Sequence, residues 1–358
     1  MNKKALIAMS GGVDSSVSAA LMCEKGYECI GVTMKLYENE DIGEPCEKAC
    51  CTLSDVEDAR SVCHKLGMRY YVSNFKEDFS RQVIDRFIHA YEVGATPNPC
   101  IDCNRFMKFA RLYHRAKEQD CDTIVTGHYA RIDYDEEKGR YLLKKSANVA
   151  KDQSYVLYFM TQDQLAHTCF PLGEYSDKEQ VRAVAEKYGF VNARKHDSQD
   201  ICFVPDGNYG NFIEEYSGKT YPPGDFVDLD GNVLGQHKGL IRYTIGQRKG
   251  LGLALPAPMY VYAKDLENNR VILSSEKELF TDKLCATDFN WIAYEQPDKP
   301  VRVMAKTRYH AKEAAAWAEV MPDGKVEITF DEPQRAITTG QAVVLYDGDV
   351  VVGGGTIH

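Results

Sequence analysis

A short run of small and hydroxyl residues near the start of the chain has the composition of a phosphate-binding turn. It reads Ser10-Gly11-Gly12-Val13-Asp14-Ser15-Ser16 and lies between an apolar segment, Ala5–Met9, and a helix expected from about Asp14 to Glu24. Backbone N–H groups and the dipole at a helix N-terminus attract anions, and two glycines let a phosphate chain approach without a Cβ in the way. The run therefore predicts a nucleotide-phosphate site.

Asp14 is the unusual member of this run, because a carboxylate beside phosphates repels them. The repulsion is avoided if a divalent cation bridges the two, or if the side chain caps the helix away from the ligand. The sequence therefore implies Mg²⁺ as a cofactor. Neither GxxxxGK[ST] nor GxGxxG occurs here, so neither a Walker loop nor a dinucleotide-binding turn is indicated, and a plain strand–helix turn stays open.

The segments that must position this turn alternate apolar strands with stretches of helical period, which is typical of a parallel sheet covered on both faces. Cys29–Met34 and Thr123–Thr126 are further buried strands. Two prolines make Thr96-Pro97-Asn98-Pro99 a rigid non-helical loop, and a helix is expected to resume from about Asn104 to Gln119. Beyond about residue 206, short β-rich runs separated by Asp-Gly turns predict small sheets or a barrel.

Length and composition indicate a folded, multidomain chain. Its 358 residues suffice for two or three domains, and 44% hydrophobic with 27% charged residues excludes global disorder and a fibre. Twelve cysteines are too few for a disulfide scaffold of this length. The longest uncharged apolar run near the start, Ala5–Met9, is too short for a signal peptide or a membrane span, so we expect a cytoplasmic protein that does not bind membranes.

Two basic stretches without any acidic residue interrupt an otherwise acidic chain of net charge −10. Such segregation predicts a surface for a polyanion, although a chance cluster on solvated strands stays open. The first stretch, residues 231–264, contains Lys238, Arg242, Arg248, Lys249 and Lys264. The second, residues 299–312, contains Lys299, Arg302, Lys306, Arg308 and Lys312.

Several further motifs occur in a fixed order along the chain. They are TPNPCIDCN at 96–104, TGHYAR at 126–131, KDQSYVL at 151–157, HDSQDICF at 196–203, TIGQRKGLG at 244–252, KTRYH at 306–310 and GGGTI near the end. SGGVDSS resembles the pyrophosphate loop of ATP-dependent adenylating enzymes. Together with it, the further motifs resemble the tRNA-specific 2-thiouridylase family over essentially the whole chain. The match of many motifs in order is more specific than any one of them.

The resemblance implies an α/β fold class. A doubly wound parallel-sheet domain, adenine-nucleotide-hydrolase-like, binds ATP and carries the catalytic residues in 1–206. A small β-rich central domain that binds tRNA follows in 207–282, and a C-terminal β-barrel occupies 283–358. The implied partners are tRNA, through the wobble uridine of its anticodon, and a sulfur-carrier protein or other persulfide donor.

The implied reaction is ATP-dependent 2-thiolation of the wobble uridine by a tRNA sulfurtransferase. A urea-type carbonyl has no good leaving group, so adenylation of its C2 oxygen turns that oxygen into departing AMP. A simple thiol would leave the enzyme attached to the base, whereas the terminal sulfur of a persulfide attacks and a second cysteine then breaks the S–S bond, leaving a disulfide. The resemblance implies that Cys103 is the nucleophile and Cys202 the persulfide carrier.

One residue departs from the pattern of many family members, which carry Asp where this chain has Cys100. Cys100 and Cys103 thus form a CxxC, and with Cys202 they could hold an iron–sulfur cluster with one iron open to sulfide. This cluster is an alternative to the persulfide, and a zinc site formed by Cys46, Cys50, Cys100 and Cys103 is a weaker one.

The remaining site residues follow from the resemblance, position by position. Those implied to bind ATP are Ala8, Met9, Ser10, Gly11, Gly12, Val13, Asp14, Ser15, Met34 and Gly127. Those implied to face the target base are Asn98, Pro99 and Cys100. Those implied to meet tRNA are His128, Lys151, Asp152, Gln153, Arg308, Tyr309 and Gln341.

Two other classes of function stay open at this point. A different pyrophosphate-loop adenylating ligase shares SGGVDSS but does not need Cys103 together with Cys202. A non-enzymatic, metal-bearing RNA-binding module would explain the thiols and the basic stretches, but it would leave the phosphate loop without a role.

Overall fold

The computed structural model describes residues 3–38, 53–195 and 201–358. The first five residues of the HDSQDICF motif, 196–200, lie outside the described residues, as do Cys46 and Cys50. The zinc interpretation, which needs those two cysteines, therefore stays a prediction.

A five-stranded parallel sheet forms the centre of the N-terminal domain, in the order β3-β2-β1-β4-β7. Its strands are β1 (Lys4–Ala8), β2 (Glu28–Lys35), β3 (Arg69–Asn74), β4 (Thr123–Val125) and β7 (Thr168–Cys169). Alternate residues of β1 enter opposite layers, because Leu6 packs into one hydrophobic cluster and Ala5 and Ile7 into the other. Both faces of the sheet are thus covered, as the alternating sequence pattern predicts.

Most helices of the chain pack against these two faces. The helices are α1 (Val13–Glu24), α2 (Leu53–Lys65), α3 (Lys76–Phe79), α4 (Asp85–Glu92), α5 (Pro99–Asp102), α6 (Tyr113–Glu118), α7 (Gln162–Ala166), α8 (Lys178–Lys187) and α9 (Tyr209–Ser217). Of these, α5 and α7 instead bury Ile101 and Leu165 in a separate cluster beside the barrel. Two π-helical segments, Ser80–Ile84 and Cys103–Leu112, join α3 to α4 and α5 to α6. Short 3₁₀ turns occupy Val149–Lys151, Ser154–Leu157, Leu240–Arg242 and Glu276–Leu279.

The helix that carries Cys103 begins earlier than the sequence predicts. Pro99 is its first residue, and the Asn98 side chain caps it by accepting a hydrogen bond from Cys100 N at 3.2 Å. Proline is well suited to the first helical turn, where its missing N–H has no intrahelical partner and its φ is already helical. The prediction of a loop through Pro99 and a helix from Asn104 was therefore wrong by about five residues.

A small four-stranded sheet forms the central domain, in the order β10-β11-β8-β9. Its strands are β8 (Gly224–Val227), β9 (Val233–His237), β10 (Tyr260–Asp265) and β11 (Arg270–Ser274). Phe226, Val261, Val271 and Leu273 are buried in its own hydrophobic cluster. The cluster gives this short domain a separate core.

The C-terminal domain is a closed antiparallel barrel of six strands, because β12 pairs with both β15 and β17. Its strands are β12 (Phe280–Trp291), β13 (Val301–Lys306), β14 (Ala314–Val320), β15 (Val326–Arg335), β16 (Ala342–Asp347) and β17 (Val350–Ile357). The predicted fold class, a parallel α/β domain followed by a small β domain and a barrel, is confirmed.

A hairpin of the N-terminal domain extends the barrel sheet. Strands β5 (Ala130–Asp135) and β6 (Arg140–Lys145) pair with each other, and Lys144 of β6 pairs with Val350 of β17. The nucleotide domain and the barrel are thus joined by backbone as well as by side chains. Within the part of the chain that is described, no helix combines the length and apolar character needed to cross a membrane.

Candidate active site

The predicted phosphate loop lies between β1 and α1 and is held in shape by its own hydroxyls. Ser15 Oγ accepts from Ser10 N at 3.2 Å and donates to Gly12 O at 2.9 Å. Gly11 has a φ of +76°, and a Cβ there would collide with the backbone of Asp55 on α2. A residue with a side chain is therefore excluded at Gly11 by both strain and contact.

A buried asparagine from outside the loop supports it from behind. Asn192 Nδ2 donates to Gly11 O at 2.8 Å and to Ser16 Oγ at 2.9 Å. Because Asn192 binds the loop's carbonyl and hydroxyl oxygens, it fixes the turn without using backbone N–H groups, which an anion would need.

The Asp14 carboxylate is neutralised by a lysine rather than left facing the loop unpaired. Lys178 Nζ lies 2.7 Å from each of its carboxylate oxygens, and Tyr129 OH donates to Oδ1 at 2.7 Å. Mg²⁺ was implied by the need to neutralise Asp14, and Lys178 meets that need. Among the described residues no group of three or more His, Cys, Asp or Glu side chains is arranged to hold a metal ion. The described side chains thus do not form a site for a protein-held Mg²⁺.

The residues implied to bind ATP come from the carboxyl ends of three neighbouring strands. Ala8 ends β1, Met34 lies near the end of β2, and Gly127 follows β4. A Cβ at Gly127 would lie 2.9 Å from the backbone carbon of Asp14, so only glycine lets this segment approach the start of α1. Open α/β sheets bind ligands at this edge of the sheet.

The two cysteines implied to be catalytic contact the same hydrophobic cluster. Cys103 begins the π-helical segment, whereas Cys202 lies in a turn before α9, where Tyr37 OH donates to its carbonyl oxygen at 2.9 Å. Both are half-buried and pack against the cluster around Phe79 and Phe203. Ala8 and Met34, two of the residues implied to bind ATP, belong to the same cluster or pack against it. Cys100 is exposed.

The barrel holds the loop that precedes the catalytic helix. Thr96 N donates to Thr339 O at 2.9 Å, and Gln341 Nε2 donates to Thr96 O at 2.7 Å. A Cβ at Gly340 would lie 3.0 Å from the Cβ of Ala95. Gln341 therefore acts in this structure as a clamp on the Thr96–Asn98 segment, whereas the resemblance implies that it contacts tRNA.

His128 is buried rather than presented to a large ligand. Thr126 Oγ1 lies 2.7 Å from its Nδ1 and Lys108 Nζ lies 3.4 Å from its Nε2, and the rings of Phe109 and Phe170 enclose it. Burial and the Lys108 ammonium hold the pKa of His128 well below its usual value, so the ring is neutral near pH 7. Its contact with tRNA would require this packing to open.

The segment Lys151–Ser154, called the KDQS segment below, is hydrogen-bonded to the nucleotide domain and to the barrel. Gln153 Oε1 accepts from the backbone N of Tyr129, and Asp152 O accepts from Tyr309 OH at 3.0 Å. The Asp152 carboxylate accepts from Ser154 Oγ at 2.8 Å. Lys151 ends a short 3₁₀ turn and is half-buried.

Arg308 joins the central domain to the barrel. Its Nη2 donates to Ile245 O at 3.1 Å, to Ala336 O at 2.9 Å and to Thr338 Oγ1 at 2.6 Å. Burial lowers its pKa, and the charge of Arg335 acts in the same direction. Such contacts make Arg308 a structural bridge as well as a candidate phosphate ligand.

Three side chains of the site were missed by sequence reasoning. Lys178 and Asn192 are far from the phosphate loop in sequence, and no motif singles out either one. Asp102 lies inside the CIDC segment, and burial raises its pKa to about 6. An acid between two motif cysteines was the one signal that could have indicated it.

A parallel sheet with a phosphate loop at its carboxyl edge, followed by a small β domain and a closed barrel, defines a multidomain nucleotide-binding protein. Family models described as the tRNA methyl transferase HUP domain, the tRNA methyl transferase PRC-barrel domain and the aminomethyltransferase β-barrel domain match residues 3–206, 210–275 and 281–357.

Curated relatives match along the whole length. A tRNA-specific 2-thiouridylase MnmA of Acetivibrio thermocellus is 54% identical over 357 residues, covering 99% of both chains. One of Clostridioides difficile is 51% identical over 358 residues, covering 100% of this chain and 99% of the relative. One of Moorella thermoacetica is 53% identical, covering 99% of both chains. The chain therefore belongs to the tRNA-specific 2-thiouridylase family.

Proposed function

We propose that this protein is a tRNA sulfurtransferase, which uses ATP to replace the C2 oxygen of the wobble uridine by sulfur. The observation that carries the proposal is one shared hydrophobic cluster. Cys103 and Cys202 both pack against it, and so do Ala8 and Met34 at the ATP edge of the sheet. Activation by ATP and sulfur transfer need neighbouring sites, because the adenylated base must meet the sulfur before water does.

In the first step the C2 oxygen of the uridine attacks the α-phosphorus of ATP, and pyrophosphate leaves. We assign the phosphates to the turn Ser10–Ser15, where the start of α1 offers backbone N–H groups. Mg²⁺ enters bound to the phosphates of ATP. Lys178 neutralises Asp14, which removes the repulsion that its carboxylate would otherwise exert on the phosphates.

In the second step a persulfide on Cys202 attacks C2, and AMP leaves with the former oxygen. The Cys103 thiolate then attacks Sγ of Cys202, which releases the base as 2-thiouridine and leaves a Cys103–Cys202 disulfide. An external thiol must reduce this disulfide before the next turnover, and a sulfur-carrier protein or another persulfide donor must reload Cys202. The segment Asn98–Cys100 borders the target base.

For tRNA we propose direct contacts by Lys151 and Tyr309, at the border of the KDQS segment and the barrel. Five further residues that the resemblance assigns to tRNA form hydrogen bonds inside the protein, as the Tyr309 hydroxyl also does, and we propose that they support tRNA binding by holding the segments around Lys151 and Tyr309. The five are His128, Asp152, Gln153, Arg308 and Gln341.

Nucleoside mass spectrometry tests substrate, reaction and product together. After incubation of tRNA with ATP, Mg²⁺ and a persulfide donor, the protein should form 2-thiouridine and release pyrophosphate only when tRNA is present. Cys202→Ser should still release pyrophosphate but form no 2-thiouridine, whereas Cys169→Ser, a half-buried cysteine on β7, is the matched control and should behave like the wild type. Pyrophosphate release that does not depend on tRNA would instead indicate a different adenylating ligase.

The same reaction through an iron–sulfur cluster on Cys100, Cys103 and Cys202 is the alternative that the sequence leaves open, but in the described structure these three side chains are not arranged to hold a metal ion. Anaerobic purification followed by iron and labile-sulfide analysis separates the two candidates. A colourless, iron-free and fully active protein would exclude the cluster mechanism. Activity that rises in proportion to bound iron would exclude the persulfide mechanism. We infer a cytoplasmic location whether sulfur is transferred from a persulfide or from a cluster.

A further inference from the structure

The second basic stretch, 299–312, does not form one surface in the folded protein. Arg302 pairs with Asp331 and lies against Trp317 on the outside of the barrel, and Arg308 is occupied at the junction with the central domain. Lys299 and Lys312 are exposed on loops. The remaining member of the stretch, Lys306, has different surroundings.

Lys306 ends β13 and directs its ammonium against two tyrosine rings. Its Nζ lies 5.8 Å from the ring centroid of Tyr155 and 5.7 Å from that of Tyr309. Tyr155 is fully buried and donates to Ala342 O, so its ring is held in place. Tyr309 is close enough to Cys100 for their charges to interact. Lys306 therefore lies beside the ring of Tyr309, which neighbours Cys100 of the candidate active site.

Within residues 3–38, 53–195 and 201–358, no carboxylate forms an ion pair with Lys306. The two carboxylates whose charges act on Lys306 have other partners. Glu313 pairs with Lys145 at 2.6 Å, and the Asp152 carboxylate accepts from Ser154 Oγ and from Ser146 N. Burial lowers the pKa of Lys306, Lys145 adds to the effect, and Asp152 and Glu313 only offset it in part. A half-buried ammonium without a counter-ion costs free energy in the unliganded protein.

We propose that Lys306 binds a backbone phosphate of the tRNA next to the nucleotide being modified, a role that rests on the proposed function. An ammonium beside the half-buried ring of Tyr309 matches the chemistry of an RNA segment whose base is turned out of its stack, since that ring can stack on a base and the ammonium neutralises the adjacent phosphate. The phosphates of ATP belong to the loop at the start of α1. Lys306 therefore contributes to RNA binding and not to nucleotide binding.

The test is the salt dependence of tRNA binding by Lys306→Met, with Lys306→Arg and Arg302→Met as companions. Lys306→Met should weaken tRNA binding about tenfold and reduce the slope of log affinity against log salt by about one, while ATP affinity stays the same. Lys306→Arg keeps the charge and should stay within about threefold of the wild type. Arg302→Met removes a basic residue from the same strand, outside the site, and should change neither quantity.

Thermal unfolding distinguishes this role from a structural one. Removal of an unpaired, half-buried charge should leave the melting temperature of Lys306→Met unchanged or higher, whereas a cation–π contact that stabilises the fold predicts a lower one. The inference is overturned by an unchanged affinity and salt slope, by a loss of binding that tracks a loss of stability, or by a fall in kcat at constant affinity. If the wild type itself neither binds nor thiolates tRNA, the proposed function has failed instead.

Discussion

The ion pair between Asp14 and Lys178 is the feature of the nucleotide site whose energetic role is most open to measurement. Replacing Lys178 by Met leaves a carboxylate at the start of α1 with Tyr129 OH still donating to it but with no positive charge. Replacing Asp14 by Asn removes this carboxylate from the Lys178 ammonium. The double variant Asp14→Asn/Lys178→Met removes both charges, so the four proteins form a double-mutant cycle.

The structure gives the expected magnitude of the coupling. Lys178 Nζ is 2.7 Å from both carboxylate oxygens, and the side chains are 11% and 27% exposed, so the pair is neither fully buried nor on the surface. Surface pairs are worth ~0.2–1 kcal/mol, and breaking a buried pair costs ~3–5 kcal/mol. We expect a coupling free energy of about 2 kcal/mol, which is roughly 30-fold in the folding equilibrium.

Urea unfolding of the four proteins measures this coupling, and calorimetric titration with ATP measures its consequence. Lys178→Met should bind ATP more weakly because its uncompensated carboxylate repels the phosphates, and adding Asp14→Asn should restore part of that affinity. If the two substitutions are additive in stability within about 0.5 kcal/mol, the pair is not coupled. If Asp14→Asn does not improve ATP binding by Lys178→Met, Asp14 does not lie beside the phosphates.

Three further outcomes follow from single side chains. Burial raises the pKa of Asp102 from 3.8 to about 6, so its ionised form destabilises the fold above pH 6. This cost disappears as the pH falls through 6 towards 3.8. In urea titrations, Asp102→Asn should therefore raise the free energy of unfolding by ~1–3 kcal/mol at pH 8 and leave it unchanged below pH 4. Burial lowers the pKa of Lys264 from 10.5 to about 8, and no described residue accepts a hydrogen bond from its Nζ. Lys264→Met should therefore raise stability by ~1–3 kcal/mol at pH 7 and by progressively less between pH 8 and 10.5, and equal effects at pH 7 and 10.5 would contradict this cause. Gln341→Ala removes the amide that binds Thr96 O and should cost ~1–2 kcal/mol in thermal or urea unfolding, while a matched Gln334→Ala on the exposed end of β15 should cost little.

Sequence alone indicated the parts of the site that are contiguous in the chain. The Ser10–Ser16 turn after an apolar strand gave the phosphate loop, because strand, glycines and helix start follow one another along the backbone. The motif order gave the family, and the relatives bear it out. The helix after Thr96 was placed too late, since a proline was interpreted as a barrier although proline is favourable at a first helical position.

The tertiary structure decided everything that depends on pairs of residues distant in sequence. From the sequence, the charge of Asp14 suggested a metal ion. In the fold, Lys178, which is 164 positions away, neutralises that charge. The basic stretch 299–312 is one run of charges in the sequence. In the fold, strand alternation and domain packing place Arg302 on the outside of the barrel, Arg308 in a domain junction and Lys306 against two tyrosine rings. Residue types and their local order can be read directly from the sequence. The electrostatic environment of each charge depends instead on which elements pack together, and those contacts form only in the folded protein.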